Sequence, residues 1–200
     1  SIISIPYGKE NDETKKLRSD ISQLLDAEIE TFMKSDARIG IFELPEINNS
    51  SGILEYTKLF FRSLFLTAKA KGSFGHRVSI ILEEAHTVIP EFNFMGIEDK
   101  RSSSLVNSVS QIALQGRKYN IGFIVIAQRT ANVSKTVLTQ CNSIIAFQQF
   151  DKTSNEFLSN YFGHDISRIL PTLPSRHAIS FGKAFRSNTP IVFQVPELDD

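Results

Sequence analysis

The chain reads as an α/β protein, with a sheet of mostly parallel strands, helices on both faces and a terminal hairpin. Three observations carry that reading. Residues 78–82 and 121–127 are continuously apolar, as strands buried on both faces are, where a half-exposed strand would alternate. Longer stretches with apolar residues at three- and four-residue steps lie between such runs. The resulting order of strand, helix, strand, helix, strand is the order of parallel strands joined by helical crossovers.

The elements follow in sequence. Residues 2–5 are a short strand candidate. Leu17, Ile21, Leu24, Leu25, Ile29 and Phe32 predict a helix over 14–34. Residues 39–44 read as a strand stopped by Pro45, and 48–52 as a loop rich in Asn, Ser and Gly. A second helix is expected over 53–70, with Leu54, Leu59, Leu64, Phe65 and Ala68 facing inward. The first buried strand comes next, then a polar loop at about 91–101 and a third helix over 102–118, closing on Gly116-Arg117-Lys118. Beyond the second buried strand lie a short helix (133–140), a third core strand (143–147) and another short helix (152–161). Residues 177–181 and 191–195 resemble a hairpin with a long loop. No internal repeat or linker interrupts the 200 residues, so one domain is expected.

Composition narrows the function classes. Lys plus Arg and Asp plus Glu are each 22, for a formal net charge of zero, so the chain lacks the strong positive charge of many nucleic-acid-binding domains. A local basic patch stays open. The single cysteine, Cys141, excludes an internal disulfide, and its apolar neighbours favour a small buried thiol over a reactive one. No run approaches the roughly 18 apolar residues of a membrane span, and residues 1–6 lack a basic leader, so a cytoplasmic chain with no membrane partner is expected. The chain starts without Met inside a strand-like run, which reads as a fragment or processed piece. His76, His86, His164 and His177 show no paired metal-ligand spacing, and HExxH is absent.

The most informative feature is the end of the first buried strand, where Leu82 is followed by Glu83, Glu84, Ala85 and His86. Ligands of open α/β sheets sit outside the carboxyl ends of the strands. One acid there can hold Mg²⁺, directly or through water, and the other can orient or deprotonate a water beside a γ-phosphate. The alternative is a solvated helix start, because acids in the first turn are stabilised by the helix dipole. His86 could relay the state of that edge through a hydrogen bond, or be a surface group at the helix start. The second buried strand ends in Ala127-Gln128-Arg129. If the two strands are neighbours, Gln128 shares the edge, and its amide could bond both a phosphate oxygen and a water. An ordinary loop-start Gln is the alternative.

Four segments then fall in a specific order: 78–90 (VSIILEEAHTVIP), 114–122 (LQGRKYNIG), 124–129 (IVIAQR) and 137–145 (VLTQCNSII). In that order, and with 173–182 (LPSRHAISFG) as a closing strand pair, they resemble the HerA family of the HerA/FtsK superfamily. The resemblance covers about 78–195 and extends more weakly back to 39. It implies the C-terminal part of a RecA-like P-loop NTPase core in a DNA-translocating ATPase. Glu83 would be the Walker B acid that helps hold Mg²⁺, Glu84 the catalytic glutamate that activates water, and Gln128 the sensor of the γ-phosphate. Arg117, in the family's Gly-Arg-Lys segment, would be an arginine finger reaching a neighbouring subunit's nucleotide, a task suited to its planar, permanently charged fork. Arg117 and Lys118 could equally do no more than complement a helix C-terminus. ATP and Mg²⁺ are the implied cofactors. The implied partners are further copies in a hexameric ring, double-stranded DNA through its pore, and a nuclease or other effector protein.

No G-x-x-x-x-G-K-[ST] occurs in the 200 residues. The phosphate cradle of such a core is built by that motif, and in the resembled family it lies upstream of the matched region. The expectation is half of an active site, inactive alone. The loop 91–101, with Phe92, Phe94, Lys100 and Arg101, could meet DNA phosphates, although a solvated loop or subunit contact is the simpler reading. Two other functions fit the same core: the ATPase of a conjugation or secretion apparatus, and a ring-assembly module without catalysis. A DEAH-box helicase fits poorly, because its partner motif would place Ser-Ala-Thr where Ala127-Gln128-Arg129 stands.

Overall fold

A computed structural model describes residues 11–43, 50–70, 77–91, 107, 110, 112 and 114–197. The chain divides into two compact units, Ser1–Ile126 and Ala127–Asp200. The strand expected at 2–5, the residues expected to end the 39–44 strand and begin the 48–52 loop, and the loop at 92–101 fall outside the described residues.

The first unit opens with α1, Asp12–Lys34. Asn11 caps it by accepting the Thr14 N–H at 2.8 Å, and Asp12 and Glu13 complement the dipole in the first turn. Leu25 and Ile29 are its buried residues, whereas Leu24, which belongs to the same apolar periodicity, is 66% exposed. One helical residue is 100° from the next, so Leu24 and Leu25 cannot both face one partner. That partner is α2, Ser50–Ala70, and an Arg18–Glu55 ion pair at 3.4 Å links the two helices. The helix takes in Ser50, Ser51 and Gly52, which were read as loop.

Along α2, Leu54, Thr57, Phe61, Leu64 and Ala68 are buried at alternating steps of three and four. The resulting stripe meets β2 (Ile121–Val125), which pairs in parallel with β1 (Val78–Leu82). The Phe61 and Phe123 rings lie 5.9 Å apart. Ile80 pairs with Phe123 and Leu82 with Val125, so these four share one face of the pair. The other face carries Ile81 opposite Ile124, exposed by 60% and 50%.

Residues 39–43, expected as strand, form no ladder among the described residues, and Ile39 and Ile41 are 80% and 87% exposed. The segment instead follows the helices, with the Phe42 ring 4.6 Å from that of Phe60. An apolar run becomes a strand only where a neighbouring backbone accepts its hydrogen bonds. Of the helix expected over 102–118, residues 107, 110, 112, 114 and 115 are described and helical, and the 3₁₀ turn Gly116–Tyr119 ends it.

In the second unit, a 3₁₀ turn (Thr130–Asn132) and the short α4, Lys135–Leu138, lead to β3, Ser143–Ala146. Cys141 is half-buried, with its Sγ 3.8 Å from the Val137 carbonyl, and burial pushes its thiol up. This is the shielded thiol expected. Helix α5 (Lys152–Phe162) and the single turn α6 (His164–Ser167) precede the hairpin of β4 (His177–Gly182) and β5 (Ile191–Gln194). β3 pairs antiparallel with β4, giving a three-stranded sheet in the order β3-β4-β5. Ala146, Leu158, Phe162, Leu170, Leu173 and Ile179 form its core.

Gly182 ends β4 at φ +123°, where a Cβ would collide with the Asn142 carbonyl and the Ser143 backbone. Both the dihedral and the contact demand glycine. Gly182→Ala is expected to cost about 2 kcal/mol, read as a lowered denaturation midpoint. A loss below about 0.5 kcal/mol would show that the β3–β4 junction relaxes freely.

Candidate active site at the carboxyl edge of the parallel strands

The two glutamates sit where β1 stops pairing regularly. Ile126 donates its N–H to the Leu82 carbonyl at 2.9 Å, as the parallel register requires. Regular pairing would next bring the residue 84 N–H to the Ile126 carbonyl. That carbonyl instead accepts from Ala85 at 3.0 Å. One residue is therefore inserted, and the ladder closes around Glu83 and Glu84 as a bulge.

Glu84 takes up the extra length in the left-handed region, φ 46° and ψ 49°. That conformation costs an L residue with a long side chain about 1–2 kcal/mol. Its carbonyl accepts from both the N–H and the hydroxyl of Thr87, at 2.8 and 2.9 Å, which ties the bulge to the turn α3, Ala85–Val88. Ala85, Val88 and Ile89 beneath it are buried, whereas both glutamate side chains are exposed. Glu84 Oε2 lies 3.3 Å from His86 Nδ1. Bulges re-aim side chains beside active sites, and strained backbone concentrates there. Two adjacent carboxylates thus project from a rigid mount at the strand edge where α/β sheets bind ligands.

Arg117 is at the other end. It is exposed in the 3₁₀ turn that precedes β2. The five-residue strands separate it from the glutamates by about 16 Å. Two contacts fix that turn. Tyr119 meets Phe65 of α2 edge-on at 5.1 Å. A Cβ on Gly116 would come within 2.9 Å of the Ile121 carbonyl, so the close approach requires glycine. Asn120 then turns the chain at φ 61°, a conformation Asn tolerates well.

Gln128 follows β2 by three residues and belongs to the second unit. Its carbonyl accepts from Gln149 Nε2 at 3.1 Å, and Gln149 Oε1 accepts from the Asp151 N–H at 3.2 Å. Asp151 in turn caps α5 by accepting from Ser154 N at 2.9 Å, and Ser154 Oγ accepts from the Thr130 hydroxyl at 3.1 Å. The hydrogen bonds from Ser154, with a lesser contribution from the Arg129 charge, hold the Asp151 carboxyl below the usual range. A lowered carboxyl pKa stabilises the fold at neutral pH and loses that effect as pH falls through the lowered value. Sequence reasoning missed this Gln149–Asp151–Ser154 brace. The N-cap pattern Asp151-x-x-Ser154 at the start of the expected 152–161 helix was the available signal.

Among the described residues no group of three or more His, Cys, Asp or Glu could hold a metal ion, and no helix is long and apolar enough to cross a membrane.

No family model matches the chain. Curated relatives do. The chain is 32% identical over 108 residues to a probable helicase of Methanocaldococcus jannaschii, covering 52% of this chain and 19% of that one. It is 27% identical over 125 residues to that organism's probable DNA double-strand break repair helicase HerA, covering 61% and 23%. The HerA helicase of Sulfurisphaera tokodaii matches at 25% over 113 residues, covering 54% and 21%. The chain therefore spans about a fifth to a quarter of the length of these relatives. Among solved structures, the genome packaging NTPase B204 of Sulfolobus turreted icosahedral virus 2, in complex with AMPPCP, superposes with a TM-score of 0.57 at 16% identity, covering 84% of this chain and 71% of that one. The fold is thus shared with a packaging NTPase, and the matched sequence is similar to part of the HerA helicases.

Proposed function

We propose that this chain supplies the hydrolytic edge of an ATP-driven DNA translocase that works as a ring, and that the isolated chain is inactive. The observation that carries the reading is the bulge that places Glu84 in a strained, pinned conformation beside Glu83 at the carboxyl edge of a parallel strand. The HerA relatives and the packaging NTPase support the same class.

The donor set fits the group it would hold. Mg²⁺ prefers hard oxygens and is usually bound through one or two carboxylates, with water and substrate phosphates completing its shell. Two exposed carboxylates, with no third His, Cys, Asp or Glu grouped with them among the described residues, match that habit. Glu83 would hold the ion, directly or through water. When bound, Mg²⁺ would neutralise charge on the phosphate oxygens of ATP. The Glu84 carboxylate orients the attacking water and accepts its proton. Gln128 offers an amide able to sense the γ-phosphate. Arg117, at the far end of the strands, serves a neighbouring subunit. The two units are parts of one RecA-like core in this reading, and the full ring is hexameric, takes double-stranded DNA through its pore and can engage a nuclease or other effector.

The phosphate-binding motif is absent from these 200 residues. The isolated chain is therefore expected to show no ATPase activity above background, measured as phosphate release. The full-length protein is expected to hydrolyse ATP and to be stimulated by double-stranded DNA. Turnover indifferent to DNA would favour the secretion-type motor. No turnover in the full-length protein would leave the assembly module.

A further inference from the structure

The bulge fixes the backbone of Glu84 but leaves its carboxylate at the end of a flexible side chain that is 47% exposed. A general base works only if its oxygen is held near one position, and small displacements are costly in rate. One group on the page can supply that restraint. His86 stands two residues on, inside the turn α3, with its ring 32% exposed and Nδ1 3.3 Å from Glu84 Oε2. The ring is itself mounted on fixed backbone, since Ala85 is tied to the Ile126 carbonyl and Thr87 to the Glu84 carbonyl.

We propose that His86 is a positioning residue: its Nδ1–H donates to the Glu84 carboxylate and holds it in the orientation from which it meets the attacking water. An ionised carboxylate only accepts, so the proton of this contact lies on the imidazole nitrogen. The role rests on the hydrolytic reading above, because it has meaning only if Glu84 is the base. It extends that reading by giving the Glu84–Ala85–His86 order a geometric purpose. The left-handed bulge leaves the carboxylate beside the residue two positions on.

Two measurements test the inference. In the chain without nucleotide or metal, nitrogen NMR of labelled histidine is expected to show His86 protonated on Nδ1. The tautomer is set by the hydrogen bond, so Glu84→Ala is expected to release that proton to Nε2. An Nδ1 without a proton in the unsubstituted chain would overturn the proposal. In the full-length protein, His86→Ala is expected to lower kcat by about tenfold to a hundredfold, the range for losing a hydrogen bond to a charged group, with KM for ATP little changed. His86→Asn places an amide N–H where Nδ1 stood and is expected to retain most of kcat. His86→Gln carries its amide one bond further and is expected to lose it. Equal activity of the Asn and Gln variants, or a kcat that rises in His86→Ala, would overturn the proposal even if the Ala variant folds poorly. If Glu84→Gln itself leaves turnover intact, the hydrolytic reading fails. If Glu84→Gln abolishes turnover and His86→Ala does not lower it, the positioning role alone fails.

Discussion

Glu84→Gln in the full-length protein is expected to lower ATP turnover about a thousandfold while nucleotide binding changes little, since general-base catalysis contributes on the order of a hundredfold to ten-thousandfold. The amide is nearly isosteric and keeps a polar contact for His86, so the bulge should persist. What it loses is the capacity to take a proton. Arg117→Ala is expected to be similarly impaired, for a different reason. Arg117 stands about 16 Å from the glutamates of its own chain, by the length of the strands between them. If it completes a neighbour's site, a mixture of Glu84→Gln and Arg117→Ala subunits forms some interfaces with both groups intact. Steady-state phosphate release from the mixture is then expected to exceed that of either variant alone. A mixture no better than its components, although the subunits exchange, would remove Arg117 from the trans role. Unaltered turnover in Glu84→Gln would remove the hydrolytic assignment itself.

Phe61→Ala is expected to destabilise the first unit by about 3–5 kcal/mol. Phe61 is 1% exposed, and its ring contacts Phe60 at 5.5 Å and Phe123 of β2 at 5.9 Å. Truncation removes the apolar burial of an aromatic ring and leaves a cavity between α2 and the strand that leads to the carboxyl edge. Leu66→Ala on the same helix is the control. That side chain is 50% exposed, so its loss is expected to stay within about 0.5 kcal/mol. Denaturant titration followed by circular dichroism reads both. A Phe61→Ala loss below about 1 kcal/mol would mean that the helix does not anchor the strand pair.

Both arguments depend on features that were legible to different degrees. The two strands were read from their largely apolar runs, and 78–82 and 121–125 are β1 and β2, but burial on both faces was not met, because Ile81 and Ile124 are 60% and 50% exposed. The α2 stripe was read only in part. Leu54, Leu64 and Ala68 were expected inward, but Phe61, the most buried aromatic on that face, was passed over together with Thr57. Periodicity marks a face without ranking its members, and the ranking comes from what the partner strand presents, here Phe123. Leu24 is exposed although it belongs to the apolar periodicity of α1, because one partner helix covers only one side of α1. Residues 39–43 failed because strand propensity is not a strand. Their hydrogen bonds have no neighbouring ladder among the described residues, and the Phe42 ring packs on Phe60 of α2.

By itself, the sequence determined the α/β class, the adjacency of two acids to an apolar strand, the shielded cysteine, the absence of a phosphate-binding motif from these residues and the HerA resemblance. All of these depend on residue type and local order, which the chain carries wherever it folds. The tertiary structure alone decided that β3 pairs with the terminal hairpin, that Arg117 and the glutamates occupy opposite ends of one strand pair, and that Glu84 lies in a bulge facing His86. Each of these depends on which backbone groups meet across the sheet. A single hydrogen bond displaced from residue 84 to residue 85 leaves no trace in composition or periodicity, yet it sets the direction of the carboxylate.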